Sequence, residues 1–136
     1  MFIDLVNLRC EEYTEDSRVP IIKIGTPLED ALRRDLTINA MFYNINEQKI
    51  EDFTEKGIED LKNGIIRTPM EPLQTFLDDP LRVLRTIRFS TRFQFEIVKE
   101  IDEAIQDPKV LEALAQKVTF ERIGRETDLM MEGENP

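Results

Sequence analysis

What most constrains this chain is where its strand signals stop. Up to about residue 65 the sequence mixes strand and helix patterns, and from Met70 onward the apolar spacing is helical. One piece can build a small sheet and the other can only pack helices. Alternation and strand-forming residues predict a strand over 2–8, with Asp4 in its middle, and the polar run from Cys10 to Thr26 predicts a loop holding a short strand at 21–24. Thr26 can cap a helix carrying Leu28 to Arg34, because Pro27 suits the first turn and Glu29 completes a capping box. Residues 37–44 fit helix or strand equally. A turn at 44–48 before a strand at 49–53 suggests a hairpin, 58–62 a short helix closed by Asn63-Gly64, and 65–67 an extended piece ended by Pro69. Helices are then expected over 70–77, 79–93, 97–106, 109–116 and 120–132, punctuated by Pro80, Pro108 and Gly133. The expected class is α+β: a few strands plus helices over 1–65, followed by an all-helical unit over 66–136.

Composition removes several function classes. The 136 residues are about one domain's worth, and a net charge of -10 argues against a protein that grips nucleic acid by bulk charge. With no histidine, histidine-based catalysis and His-metal sites are excluded. The single Cys10 cannot form an internal disulfide, which suits a reducing compartment. Apolar runs are far shorter than the roughly 20 residues needed to cross a bilayer. The expectation is a soluble, intracellular, cytoplasmic chain without a membrane partner, with nuclear or mitochondrial forms open.

The acidity is uneven. More than half of the net charge falls after residue 95, whereas Arg82, Arg85, Arg88 and Arg92 lie between Pro80 and Phe95 with no acid among them. On a helix these four guanidinium groups fall within about 120° of one face, with Val83, Leu84 and Ile87 opposite, so one side should pack and the other offer donors. Asp79 and Arg82, three apart, can approach one ligand as acceptor and donor, the pairing that reading a nucleobase edge requires. The same spacing also suits a surface ion pair of Asp78 or Asp79 with Arg82, behind capping aspartates. In Arg33-Arg34-Asp35 the adjacent arginines point about 100° apart, so one could contact a phosphate while the other pairs with Asp35 or a neighbouring unit. A solvated charged turn is the plainer reading.

Together these segments resemble a known family. Ile3 to Arg9, then Glu29-Asp30-Ala31-Leu32-Arg33-Arg34-Asp35 with Thr37-Ile38-Asn39-Ala40, then Asp60-Leu61 with Gly64 to Pro69, then Asp78-Asp79-Pro80-Leu81-Arg82 with Arg85 and Ile87-Arg88-Phe89, and finally Glu121-Arg122-Ile123-Gly124 with Glu126, occur in the order found in the class II tRNA nucleotidyltransferases, the CCA-adding enzymes. The resemblance runs from about residue 2 to 132, and its wording is closest to eukaryotic members. It implies a head (palm) part over 1–65 and a helical neck over 66–136. It further implies CTP and ATP as substrates, the tRNA 3′ end as acceptor and Mg as cofactor. Asp79 and Arg82, with Arg85 on the same helix, match the motif that reads the base. Arg33 and Arg34 match the motif that holds sugar and triphosphate, with Asp35 and Asn39 in a positioning role. Asp4 falls where a third catalytic carboxylate sits. Asp60 and Arg67 mark the motif near the head-to-neck hinge, and Asp78, Glu121 and Arg122 a structural buttress.

The family's catalysis also needs a glycine pair and an Asp-x-Asp pair holding two Mg ions. Neither occurs in these 136 residues. Glu100-x-Asp102 and Glu126-x-Asp128 lie in expected helices, where residues two apart diverge by about 200°. No complete metal site is therefore expected. The expectation is a fragment that selects nucleotides but does not transfer them alone, and that self-associates through its exposed head. A bacterial-type poly(A) polymerase fragment, or a non-catalytic nucleotide- or RNA-binding module complementing a separate chain, are the alternatives.

Overall fold

The computed structural model describes residues 5–12 and 21–133. An antiparallel hairpin comes first, β1 (Arg9–Glu12) with β2 (Ile21–Ile24), in register Arg9 to Ile24. Residues 5–8, the described part of the strand expected over 2–8, form no strand, and β1 runs instead into the segment expected to be a loop from Cys10. Gly25 N–H closes the ladder on Leu8 O at 3.1 Å, and β2 supplies no rungs beyond it for residues 5–7. Asp4 lies outside the described residues.

Helix α1 (Pro27–Leu32) starts as its cap dictates. Thr26 Oγ1 accepts from Glu29 N–H at 3.3 Å, and Thr26 N–H donates to Glu29 Oε2 at 2.7 Å. The Thr26 N–H and the Thr26 hydroxyl, which donates to Glu29 Oε2 at 2.9 Å, both favour the charged carboxylate, and Glu29 titrates below the ordinary range. The ambiguous segment splits, with a 3-10 turn at Thr37–Asn39 and then strand β3 (Phe42–Asn44), paired antiparallel with β4 (Lys49–Glu51). Asn44 Oδ1 accepts from the N–H groups of Asn46 and Glu47, which folds the connecting turn.

Helix α2 (Gly57–Asn63) ends on Gly64 at φ 68°, the left-handed C-cap its sequence predicts. Its first residue needs to be glycine for another reason, since a Cβ on Gly57 would stand 2.7 Å from Thr37 O. Strand β5 (Ile65–Ile66) follows, and then α3 (Pro72–Asp78), α4 (Leu81–Phe93), α5 (Lys99–Ile105), α6 (Pro108–Lys117) and α7 (Phe120–Met131). These match the expected helices within a few residues. Side-chain caps fix three of the starts: Glu71 before α3, Asp107 before α6 and Thr119 before α7.

The α+β class stands with one departure. Strand β6 (Glu96–Ile97), between α4 and α5, pairs in parallel with β5. Two residues are too few to show alternation, and the partner lies thirty-one positions upstream, so no local pattern announces it. The ladder is extended by Glu96 N–H to Gly64 O at 2.8 Å and Val98 N–H to Ile66 O at 3.2 Å. It also seats the core, because Leu36 and Ile66 from the first half pack with Phe76, Val83, Ile101 and Val110 from the second. These side chains are almost wholly removed from water, at roughly 1.5 to 3 kcal/mol of stabilisation each.

Candidate functional site

Asp30, on the last turn of α1, is 1% exposed. Its Oδ1 accepts from Arg33 Nε (2.9 Å) and Nη2 (2.6 Å), and its Oδ2 from Arg34 Nε (3.0 Å) and Nη2 (2.7 Å). Arg9 N–H donates to Oδ1 as well, at 3.0 Å. Burial works against the charge, but the hydrogen bonds from Arg34, Arg33 and Arg9 outweigh it and hold the carboxyl below the ordinary aspartate range. Both arginines therefore pair with Asp30, and neither pairs with Asp35 as the sequence reading allowed. The helix expected to reach Arg34 ends at Leu32, with Arg33 as its C-cap, and the chain turning there brings both side chains back to Asp30, three and four residues earlier. Asp35 is itself buried, so the segment is not a solvated turn.

Asp35 turns instead toward α4. Its Oδ2 accepts from Arg85 Nε at 2.7 Å, while its Oδ1 accepts from Leu36 N–H (2.9 Å) and Asn39 Nδ2 (3.2 Å). One residue pair closes the site: Arg82 Nη2 donates to Arg33 O at 2.7 Å, across forty-nine residues of sequence, and Arg82 Nη1 donates to Thr75 O at 3.3 Å. The two clusters that the sequence presents separately thus form one surface. Arg82 makes no ion pair with Asp78 or Asp79. Asp78 Oδ1 accepts from Gln74 Nε2 within α3 and Asp79 Oδ1 from Leu81 N–H at 3.3 Å, but the N-cap of α4 is Pro80, so neither aspartate is the cap the spacing suggested. Asp79 Oδ2 accepts from Arg122 Nη2 at 2.9 Å, which ties α7 to the start of α4.

The arginine stripe is not a free donor face. Arg88 is buried and donates Nε to Glu126 Oε2 at 2.7 Å, Arg85 Nη1 reaches Glu126 Oε1 at 3.4 Å, and Ile87, expected to pack, is 40% exposed. Helix α7 covers that side of α4 and brings a buried carboxylate to it, so the arginines turn inward there. Burial would lower Arg85's pKa, but Asp35 and Glu126 raise it above the ordinary arginine value. Arg92 remains exposed at the far end. Glu126 and Asp30 are the residues that sequence reasoning undervalued. Glu126 carries the buttressing expected of Glu121, which is exposed on α7. Asp30 was marked by its i,i+3 and i,i+4 spacing to two arginines.

A third junction lies behind the site. Asp60 accepts from Thr37 Oγ1 at 2.8 Å and from Arg67 Nε at 3.2 Å, while Thr37 N–H donates to Arg67 O at 2.9 Å. This fixes the 3-10 turn against α2 and β5. Among the described residues no group of three His, Cys, Asp or Glu side chains could hold a metal ion. Glu100-x-Asp102 lies on α5 and Glu126-x-Asp128 on α7, and Glu126 is already paired with Arg88. The described residues do not fit an Mg site. No helix among them is long and apolar enough to cross a membrane.

The segment after α1 meets α4 through the bond from Arg82 to Arg33 O, and the family model for the Poly A polymerase head domain matches residues 1–67. The mitochondrial CCA tRNA nucleotidyltransferase of Candida glabrata is 55% identical over 98% of this chain and 25% of its own length. A solved CCA-adding enzyme in apo form superimposes with a TM-score of 0.83 at 34% identity, over 98% of this chain and 31% of that one. The Bacillus stearothermophilus CCA-adding enzyme solved in complex with CTP gives 0.75 at 29% identity, over 83% and 28%. The chain belongs to the tRNA nucleotidyltransferases, the CCA-adding enzymes. It spans about a quarter of the length of the curated relatives it matches.

Proposed function

We propose that this chain carries the nucleotide-selecting surface of a CCA-adding enzyme, choosing CTP and ATP for addition to the tRNA 3′ end. The observation that carries this reading is the bond from Arg82 Nη2 to Arg33 O, which joins the base-reading pair to the arginine pair. Arg82 is held by two carbonyls, so its guanidinium plane is set before a ligand arrives. Asp79 is held by Arg122 and the α4 backbone, and each of its oxygens keeps a second acceptor position. Cytosine and adenine present an exocyclic amine to such a carboxylate and a ring acceptor to the guanidinium. Uracil and guanine place a carbonyl oxygen where the amine would be, so they meet Asp79 acceptor to acceptor.

Arg33 and Arg34 would hold the sugar and triphosphate, with Asp35 and Asn39 fixing their distance from α4 through Arg85. Residues 1–65 would form the head part and 66–136 the neck, in keeping with the head-domain match ending at residue 67. Mg would have to be held by carboxylates that the described residues do not supply, and would contribute charge neutralisation on the triphosphate and activation of the attacking hydroxyl. In this reading Asp4 is the one residue of the chain assigned beside the metals. The 136 residues, lacking a glycine pair and an Asp-x-Asp, bind and select without transferring. Exposed Leu5, Val6 and Ile24 favour self-association, which concentration-dependent sedimentation would detect.

Titration of the chain with the four nucleoside triphosphates tests selection. CTP and ATP should bind about 5- to 150-fold tighter than UTP and GTP, the equivalent of roughly 1 to 3 kcal/mol for a bidentate base contact. In Arg82→Ala the four affinities should converge. Equal affinities in the unmodified chain would refute the proposal, as would robust CTP or ATP incorporation into tRNA for the claim that it does not transfer alone.

A further inference from the structure

The arginine pair is usually read for its charges, but here one buried acid decides their geometry. Asp30 is 1% exposed, whereas the side chains of Arg33 and Arg34 are 25% and 38% exposed, so the carboxylate lies beneath and the cations above. Each oxygen takes one guanidinium side-on by its Nε and Nη2 edge. The Arg9 N–H anchors Oδ1 to β1, and Arg33 Nε also donates to Arg9 O at 3.1 Å, so the acid and its arginine are tied to the same strand residue. Arg34 is steadied from a second side, with its Cζ 5.3 Å from the Phe42 ring centre and its Nη1 3.4 Å from Asn39 O.

We propose that Asp30 is the positioning residue of this pair, a buried carboxylate that clamps both guanidinium groups by their inner edges and so sets the direction of their outer ends toward an anionic ligand, the nucleotide's triphosphate. The identity of the ligand rests on the reading above, whereas the clamp is geometric. Without the clamp, the two adjacent arginines lose their shared inner-edge bonds and repel, so more of their ordering falls to the ligand, which weakens binding. The clamp also lowers the local charge from +2 to +1. Charge and geometry therefore predict opposite outcomes when the acid is neutralised. By Coulomb's law alone, removing a negative charge beside two cations tightens anion binding. By positioning, it loosens binding, because an asparagine offers one acceptor and turns an NH2 donor on the other arginine.

The test is calorimetric titration of inorganic tripolyphosphate and CTP into the unmodified chain, Asp30→Asn and Asp30→Glu, with circular dichroism establishing that each is folded. Asp30→Asn should lose about tenfold in affinity for both ligands, the size of one charge-assisted contact, and Asp30→Glu should recover part of it. Equal or tighter binding by Asp30→Asn overturns the proposal. Should that variant not fold, the Arg33 and Arg34 Nε–H resonances of the unmodified chain decide: slow solvent exchange supports the clamp, and rapid exchange at both sites overturns it. Failure of the unmodified chain to bind either ligand would instead overturn the ligand reading, leaving the same resonances to judge the clamp.

Discussion

The arginines that follow α1 and those of α4 face the same problem, holding several cations close together, and solve it at different ranges. Asp30 lies three and four residues from Arg33 and Arg34, so one helical turn brings acid and bases together. The α4 arginines have no acid on their own helix. Arg82 depends on the carbonyl of Arg33, Arg85 on Asp35 and Glu126, and Arg88 on Glu126, all thirty-eight or more residues away. The ion pairs of the first arrangement lie within five consecutive residues, with added ties to Arg9, Asn39 and Phe42. The second exists only when α1, α4 and α7 are assembled, so it reports on the whole fold.

The sharpest way to break this contrast is Glu126→Ala. It strands the buried Arg88 guanidinium without a partner, and urea unfolding should show a loss of about 3 to 5 kcal/mol. A loss near zero would mean that α4 does not depend on α7. A second test uses pH. Asp30's pKa is lowered in the folded chain, so its contribution is present above the unfolded aspartate value of about 3.9 and is lost as pH falls through the folded value. Thermal melts should therefore show a decline below about pH 4 that Asp30→Asn lacks, and identical acid profiles for the two would contradict the assignment. The smallest effect is expected at Arg122→Ala, because that guanidinium is half exposed and its bond to Asp79 is a surface pair. Its cost should be about 0 to 1 kcal/mol in the same urea assay. A larger cost would place the α7 contact with Asp79 among the stabilising ties, beside that of Glu126.

The same contrast explains what could be read from the chain. The α1 cap, the Gly64 stop and the starts of α3, α6 and α7 are written in neighbouring residues, and the structure has them within a position or two. The order of motifs carried the family. Helical spacing alone, however, placed Ile87 inside and Arg88 outside, because it contains no information about which helix lies alongside. A carboxylate thirty-eight residues downstream reversed that preference. Strand β6 failed for the same reason, its pairing being a property of Gly64 to Ile66 as much as of Glu96 and Ile97. Asp30 was legible in principle, yet its flanking motif drew attention to the cations and away from the acid that holds them.

The β5–β6 rung has a mechanical consequence. The chain leaves it at Ile66, runs through α3 and α4, and returns to it at Glu96, so this excursion is tethered at both ends to one point. Sliding α4 along its axis would tear the rung, whereas rocking about it would not. The thirteen residues of α4 span about 20 Å, and Asp79 and Arg82 sit at the end remote from the rung. A tilt of α4 about the rung displaces that remote end most, so the bonds there, Arg82 to Arg33 O and Arg122 to Asp79, are the ones that hold the arm against rocking.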